Sequence, residues 1–139
     1  ERKGMNFNSM WVRDRTTKTN GVSYIIQKCA TAVFTPEGQK QIHDNIKIYK
    51  NNAACLMKVL DELGVWYCGG KNAPYIWMKC PEGLTSWEFF DLLLNEIQVV
   101  GTPGQGFGEC GEGYFRFSTF GNPEDTKIAA ERIKNLLKK

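Results

Sequence analysis

A run of glycines between Gly101 and Gly113 separates an apolar pair, Val99-Val100, from the aromatic segment Tyr114-Phe115-Arg116-Phe117-Ser118-Thr119-Phe120. Glycine gives up more backbone freedom on ordering than any other residue, so no regular helix or strand passes through so dense a run. The pattern predicts a short apolar strand, a loop, and a second strand that re-enters the fold. Strand alternation then puts Tyr114, Arg116 and Ser118 on one face and Phe115, Phe117 and Thr119 on the other. An arginine set among aromatics offers a planar fork of donors suited to gripping a carboxylate or phosphate. The same residue also fits an edge-strand position or a structural ion pair, and the pattern alone leaves both readings open. The spacing Gly104-x-Gly106-x-Gly108 is not a dinucleotide fingerprint, and no lysine-serine or lysine-threonine pair follows it. The loop therefore reads equally as a long turn with positive φ angles.

Upstream, residues 1–15 are mixed and polar and read as linker or loop, with a first helix predicted over Val22 to Val33. Thr35-Pro36-Glu37 has the form of a helix start: a capping hydroxyl, proline at the first helical position and an acid in the first turn. The helix that follows carries Ile42, Ile46, Tyr49, Ala53, Leu56, Leu60 and Leu63, an apolar stripe that ends at Gly64. Short strands are predicted over Val65 to Cys68 and Tyr75 to Cys80, joined through the turn-forming run Gly69-Gly70-Lys71-Asn72-Ala73-Pro74. Within the second strand Trp77 reads as a core residue rather than a substrate platform. Thr85-Ser86-Trp87-Glu88 matches a capping box, and the helix behind it can bury some of Trp87, Phe90, Leu93, Leu94 and Ile97. Asn122-Pro123-Glu124-Asp125 opens a last helix with Ala129, Ile133, Leu136 and Leu137 facing inward. The predicted class is α/β: a two-layer sandwich of a small antiparallel or mixed sheet with helices packed on one side.

Composition removes several kinds of function. At 139 residues and 42% hydrophobic, the chain can bury a core without disulfides or metals. The net charge of +3 is dispersed apart from clusters at Arg13 to Lys18 and Lys134 to Lys139, which argues against a nucleic-acid partner. No apolar run approaches membrane-spanning length and no secretory signal pattern is present, so no membrane partner is expected. The five cysteines Cys29, Cys55, Cys68, Cys80 and Cys110 include no Cys-x-x-Cys, and the one histidine, His43, lies beside the helical stripe. No metal site is expected; the thiols read as buried and reduced, in a cytoplasmic protein. Cys110 sits among glycines without a neighbouring histidine to activate it.

Four segments carry a family resemblance: Val99 to Gly121, Phe34-Thr35-Pro36-Glu37-Gly38, Gly69-Gly70-Lys71-Asn72-Ala73-Pro74-Tyr75-Ile76-Trp77, and Thr17-Lys18-Thr19-Asn20-Gly21. From about Trp11 onward the chain resembles the C-terminal part of the LL-diaminopimelate aminotransferases, fold-type I enzymes that use pyridoxal 5'-phosphate. The resemblance implies the small-domain fold, led by the long helix. Residues 1–33 would be a remnant of the large domain and linker, and 34–139 the C-terminal small domain. Enzymes of this type hold the cofactor as a Schiff base on a lysine, commonly in a serine-x-serine-lysine or serine-asparagine-x-lysine context. Lys18 and Lys71 lack that context, and the remaining lysines are predicted on helices or at termini. The chain thus resembles a C-terminal domain without its cofactor-binding half, and it begins at Glu1 rather than at a methionine. No cofactor and no catalytic residue are expected on this chain alone, and it is expected to be inactive in isolation.

Residue by residue, the resemblance implies that Arg116 pairs with the substrate α-carboxylate. It also implies that Asn20 reaches a neighbouring active site across a homodimer and touches substrate. Lys71, Asn72 and Tyr75 carry only a turn-and-strand role. The implied partners are the large domain of the same parent, a second copy, and amino-acid and 2-oxo-acid substrates. The implied parent activity is amino transfer between LL-diaminopimelate and 2-oxoglutarate in lysine biosynthesis. Another class I amino-acid aminotransferase, or a non-catalytic carboxylate-binding or interaction module, remains an alternative.

Overall fold

A computed structural model describes residue 4 and residues 6–19 and 21–138. The chain divides into two compact units, Glu1–Ile42 and His43–Lys139. In the first, helix α1 spans Phe7–Lys18, α2 spans Tyr24–Ala30, and a 3-10 turn follows over Thr31–Phe34. Helix α3, Pro36–Glu62, begins in the first unit and continues into the second. The second unit adds strands β1 (Tyr67–Gly69), β2 (Tyr75–Lys79), β3 (Thr102–Pro103) and β4 (Tyr114–Ser118), with helices α4 (Ser86–Ile97) and α5 (Pro123–Leu137).

The α/β expectation holds. The sheet has four strands in the order β1-β2-β4-β3, every neighbouring pair antiparallel. Ile76 stands opposite Phe117 and Met78 opposite Phe115, and all four point to one face, where they are buried. Against that face pack Leu56, Val59 and Leu60 of α3, Phe89 and Leu93 of α4, and Ala130 and Ile133 of α5. Phe89 meets Phe115 edge to face at 5.1 Å between ring centres. Each such fully buried side chain contributes roughly 1.5–3 kcal/mol of apolar burial, so this single layer holds the second unit together. Asn52, also buried, donates from Nδ2 to the carbonyls of Thr119 (3.0 Å) and Gly121 (2.8 Å). That amide pins the exit of β4 to α3.

Several expectations need correction. Residues 7–18 form a helix rather than a loop. Asn6 caps it, accepting from the backbone N–H of Asn8 at 2.9 Å, and Lys18 pairs with Asp14. No residue of α1 is buried, so the helix shows no apolar stripe by which sequence could reveal it. The helix expected over Val22 to Val33 is α2 followed by the 3-10 turn. Val99-Val100 is not a strand. Gln98 takes the left-handed conformation, and the N–H of Val99 returns to the carbonyl of Leu93 to close α4, leaving β3 to start at Thr102. β1 starts at Tyr67 rather than Val65, and β2 stops at Lys79. Trp77 is half-buried on the face opposite Ile76 and Met78, not in the core. In α4, Phe89 and Leu93 are the core residues while Trp87 is exposed; in α5, Ala130 is buried more deeply than Ala129.

The first unit buries little. Phe7, Trp11, Val22, Tyr24, Ile25, Ile26 and Phe34 are all more than half exposed, and α2 likewise has no buried residue. Backbone hydrogen bonds over so few apolar contacts open easily. In the isolated chain, amide hydrogen exchange is expected to be much faster across residues 7–34 than across β2 and β4. Equal protection in the two regions of a dilute monomer would contradict this.

Candidate functional site

Because Phe115 and Phe117 face the helices, Arg116 must stand on the opposite face of the sheet. It lies opposite Trp77 of β2 and Thr102 of β3. The guanidinium carbon sits 4.5 Å from the centre of the Tyr75 ring and 4.5 Å from that of Phe107. Phe107 also meets Trp77 edge-on at 5.6 Å, and Trp77 stacks on Tyr114 at 5.7 Å with 21° between the planes. Among the described residues no carboxylate lies within 4.0 Å of Arg116. Its Nε is buried and, among the described residues, has no hydrogen-bond partner. The structural ion pair that the sequence left open is therefore not formed among these residues. The guanidinium is a cation set over two ring faces.

The glycine loop delivers Phe107 to this place. It folds as two 3-10 turns, Gly104–Phe107 and Glu109–Gly111. Gly104 and Gly111 approach so closely that a Cβ on either would strike the carbonyl oxygen of the other. The loop is therefore a close-packed clasp, and this backbone-to-backbone approach is what its glycines permit. Glu112 ties the clasp to α4. Its Oε1 accepts from the backbone N–H groups of Ser86 (2.7 Å) and Gly113 (3.0 Å), and its Oε2 accepts from Ser86 Oγ (3.1 Å). Ser86 Oγ in turn accepts from the N–H of Gln105 at 3.4 Å. The Ser86 and Gly113 amides hold the Glu112 carboxyl below the usual carboxylate range. Thr85 and Glu88 complete the expected capping box beside it.

Arg116 stands where sequence alternation put it. Asn20 lies outside the described residues. Tyr75 turns out to touch Arg116, a role its place in a turn-and-strand motif did not signal. Phe107 was not singled out either, since nothing in a glycine run indicates where its one aromatic will point. The period-two pattern of β2 held the available clue: Tyr75 and Trp77 alternate with the buried Ile76 and Met78. A groove of about 420 Å³, lined by Tyr49, Lys50, Lys71 and Pro74 among others, lies beside Phe120 and does not include Arg116. Of the thiols only Cys80 is buried, and burial, with the nearby Glu112 charge, pushes it up to about 11. Cys29 and Cys68 are exposed, contrary to the expectation of buried thiols, and Cys110 is exposed in its glycine loop. His43 is exposed on α3. No described helix is long and apolar enough to cross a membrane.

The family model for class I and II aminotransferases matches residues 11–133. The chain belongs to that family. It is 57% identical over 135 residues to an LL-diaminopimelate aminotransferase of Azobacteroides pseudotrichonymphae genomovar. CFP2, covering 97% of this chain and 34% of that protein. A second relative of the same description, from Lawsonia intracellularis, is 55% identical over 94% of this chain and 32% of its own length. Among solved structures, L,L-diaminopimelate aminotransferase from Chlamydomonas reinhardtii superposes with a TM-score of 0.90 at 40% identity, over 97% of this chain and 33% of that one. An aromatic aminotransferase from Pyrococcus horikoshii OT3 gives 0.72 at 34% identity, over 78% and 30%. The chain thus spans about a third of the length of the aminotransferases it matches.

Aminotransferases of this family imply pyridoxal phosphate in the parent protein. The described residues do not fit its attachment. A Schiff-base lysine is activated by burial or a neighbouring cation. Here every described lysine is exposed except Lys134, and that one is paired with Glu62 at 2.7 Å.

The lowered Glu112 pKa fixes a sign. A carboxylate whose folded pKa is depressed stabilises the fold above its unfolded pKa, and that stabilisation is lost as pH falls through the folded value. Glu112→Gln is therefore expected to lower the melting temperature at neutral pH, with the deficit shrinking as pH descends through the acid range. A deficit that stays constant across that range would refute the charged tie.

Proposed function

We propose that this chain is the C-terminal, carboxylate-binding part of a pyridoxal-phosphate-dependent aminotransferase. The parent moves an amino group between LL-diaminopimelate and 2-oxoglutarate, in cytoplasmic lysine biosynthesis. The observation that carries the reading is Arg116: a cation among ring faces, with an unpartnered Nε and no described carboxylate in reach. Among the solved structures, the 40% identity over 97% of this chain to an LL-diaminopimelate aminotransferase, against 34% over 78% to an aromatic aminotransferase, supports the substrate class.

In this reading Arg116 binds and orients the substrate α-carboxylate through two parallel donors, with the Tyr75 and Phe107 rings against its guanidinium. The cofactor, when bound in the parent, supplies the electron sink for amino transfer. Residues 1–33 are the remnant of the large domain and linker, and 34–139 the small domain. The exposed Phe7, Trp11, Tyr24 and Ile25 then meet the rest of the parent or a second copy in a homodimer. Asn20 belongs to the substrate site of the neighbouring subunit.

Two measurements test the proposal. The isolated chain, mixed with pyridoxal phosphate and reduced with borohydride, is expected to show no stoichiometric label at one lysine and no transaminase activity. A single labelled lysine would overturn the division of labour. In the full-length protein, Arg116→Ala is expected to cost about 2–5 kcal/mol of transition-state stabilisation, roughly a hundredfold or more in kcat/KM. Arg116→Lys should recover only part of the loss, because one ammonium cannot reproduce the planar fork. The melting temperature should change little, since the substitution also removes a buried, unsatisfied N–H. Unchanged kcat/KM in Arg116→Ala would remove Arg116 from the site.

A further inference from the structure

We propose that Tyr75 and Phe107 are positioning residues, which orient the Arg116 guanidinium through their ring faces before substrate arrives. The proposal rests on the reading of Arg116 as the carboxylate grip. An arginine on a flexible stem must otherwise be ordered at the moment of binding, which weakens affinity. A protein carboxylate could order it, but would then compete with the substrate for the same donors. Ring faces do not compete. They attract the cation through the quadrupole and leave its in-plane N–H groups their appetite for an anion.

The geometry fits that task. Both ring centres lie 4.5 Å from the guanidinium carbon, within the distance at which cation–ring attraction is significant. The two rings arrive from independent segments. Tyr75 opens β2 and is braced edge to face by Phe120 at 5.7 Å. Phe107 closes the first 3-10 turn of the glycine clasp and rests on Trp77. The close approach of Gly104 and Gly111, with the Glu112 tie to α4, therefore acts on Arg116 through Phe107. Phe107 is 52% exposed and Tyr75 38%, so neither ring is needed to fill the core. That combination, exposed aromatics held against a cation with no counter-ion among the described residues, is not what packing alone would select.

The test uses the full-length holoenzyme and varies π-electron density at constant shape. Phe107 is replaced by its mono-, di- and trifluorinated analogues, and in parallel by Leu and Tyr. Cation–ring attraction in a partly dried site predicts that KM for the amino-acid donor rises stepwise with fluorination, to on the order of three- to thirtyfold, while kcat is held. Phe107→Leu should fall at the weak end of that series, and Phe107→Tyr, which restores a ring face, should regain most of the affinity. Tyr75→Leu should act in the same direction. In the Arg116→Ala background, Phe107→Leu should have no further effect, because the ring then has nothing to orient. A flat fluorination series alongside a damaging Arg116→Ala would overturn the positioning role and leave the carboxylate grip standing. A Phe107→Leu loss that persists undiminished without Arg116 would overturn it too. An Arg116→Ala enzyme with full activity would instead bring down the reading on which the proposal rests.

Discussion

Burying Phe115 and Phe117 between the sheet and its helices decides where Arg116 goes. Side chains alternate strictly along a strand, so two inward phenylalanines send the residue between them outward. The pairing with β2 fixes the same choice twice over, because Ile76 and Met78 stand inward opposite those phenylalanines and carry Tyr75 and Trp77 outward. A slip of one residue would bury the guanidinium and expose both phenylalanines, at a cost of the same order as the whole stability of a domain this size. The position of the charged group is thus a consequence of apolar burial several ångströms away, on the other side of the backbone.

The remaining elements set the surroundings of that outward face. Helix α4 ends in a left-handed Gln98, and the chain turns back so that Thr102–Pro103 can pair along β4. The clasp between Gly104 and Gly111 then folds the intervening loop over the sheet. Glu112, holding the amide and hydroxyl of Ser86 at the start of α4, keeps that loop registered against the core helix. Asn52 does the equivalent at the far end of β4 through the carbonyls of Thr119 and Gly121. Both ends of the arginine strand are therefore tied by polar groups to helices whose own placement comes from the apolar core.

Much of this was legible in the sequence. The two faces of β4, the start of α3 at Thr35-Pro36, the capping box at Thr85 and Glu88, and the class of the fold all follow from local pattern. What escaped shares one physical property: it depends on contacts between distant segments, or on a helix with no apolar stripe. Helix α1 buries nothing, so periodicity cannot report it. Val99-Val100 has strand composition, but a hydrogen bond to Leu93 claims its first amide. Trp77 has core composition and stands on the solvent side because its neighbours pack better inward. Phe107 meets Arg116 only after a glycine loop has closed, and no spacing rule encodes that closure. Asn20 was reached by resemblance alone.

The claim at the centre of the account is that the counter-charge of Arg116 comes from substrate. A crystal structure of the full-length protein with a substrate-like amino acid bound would test it most directly. Both carboxylate oxygens of the ligand are expected within about 3 Å of the guanidinium donors, with the Tyr75 and Phe107 rings still in place. An aspartate or glutamate from elsewhere in the protein occupying that fork, with the ligand carboxylate held by other residues, would contradict it.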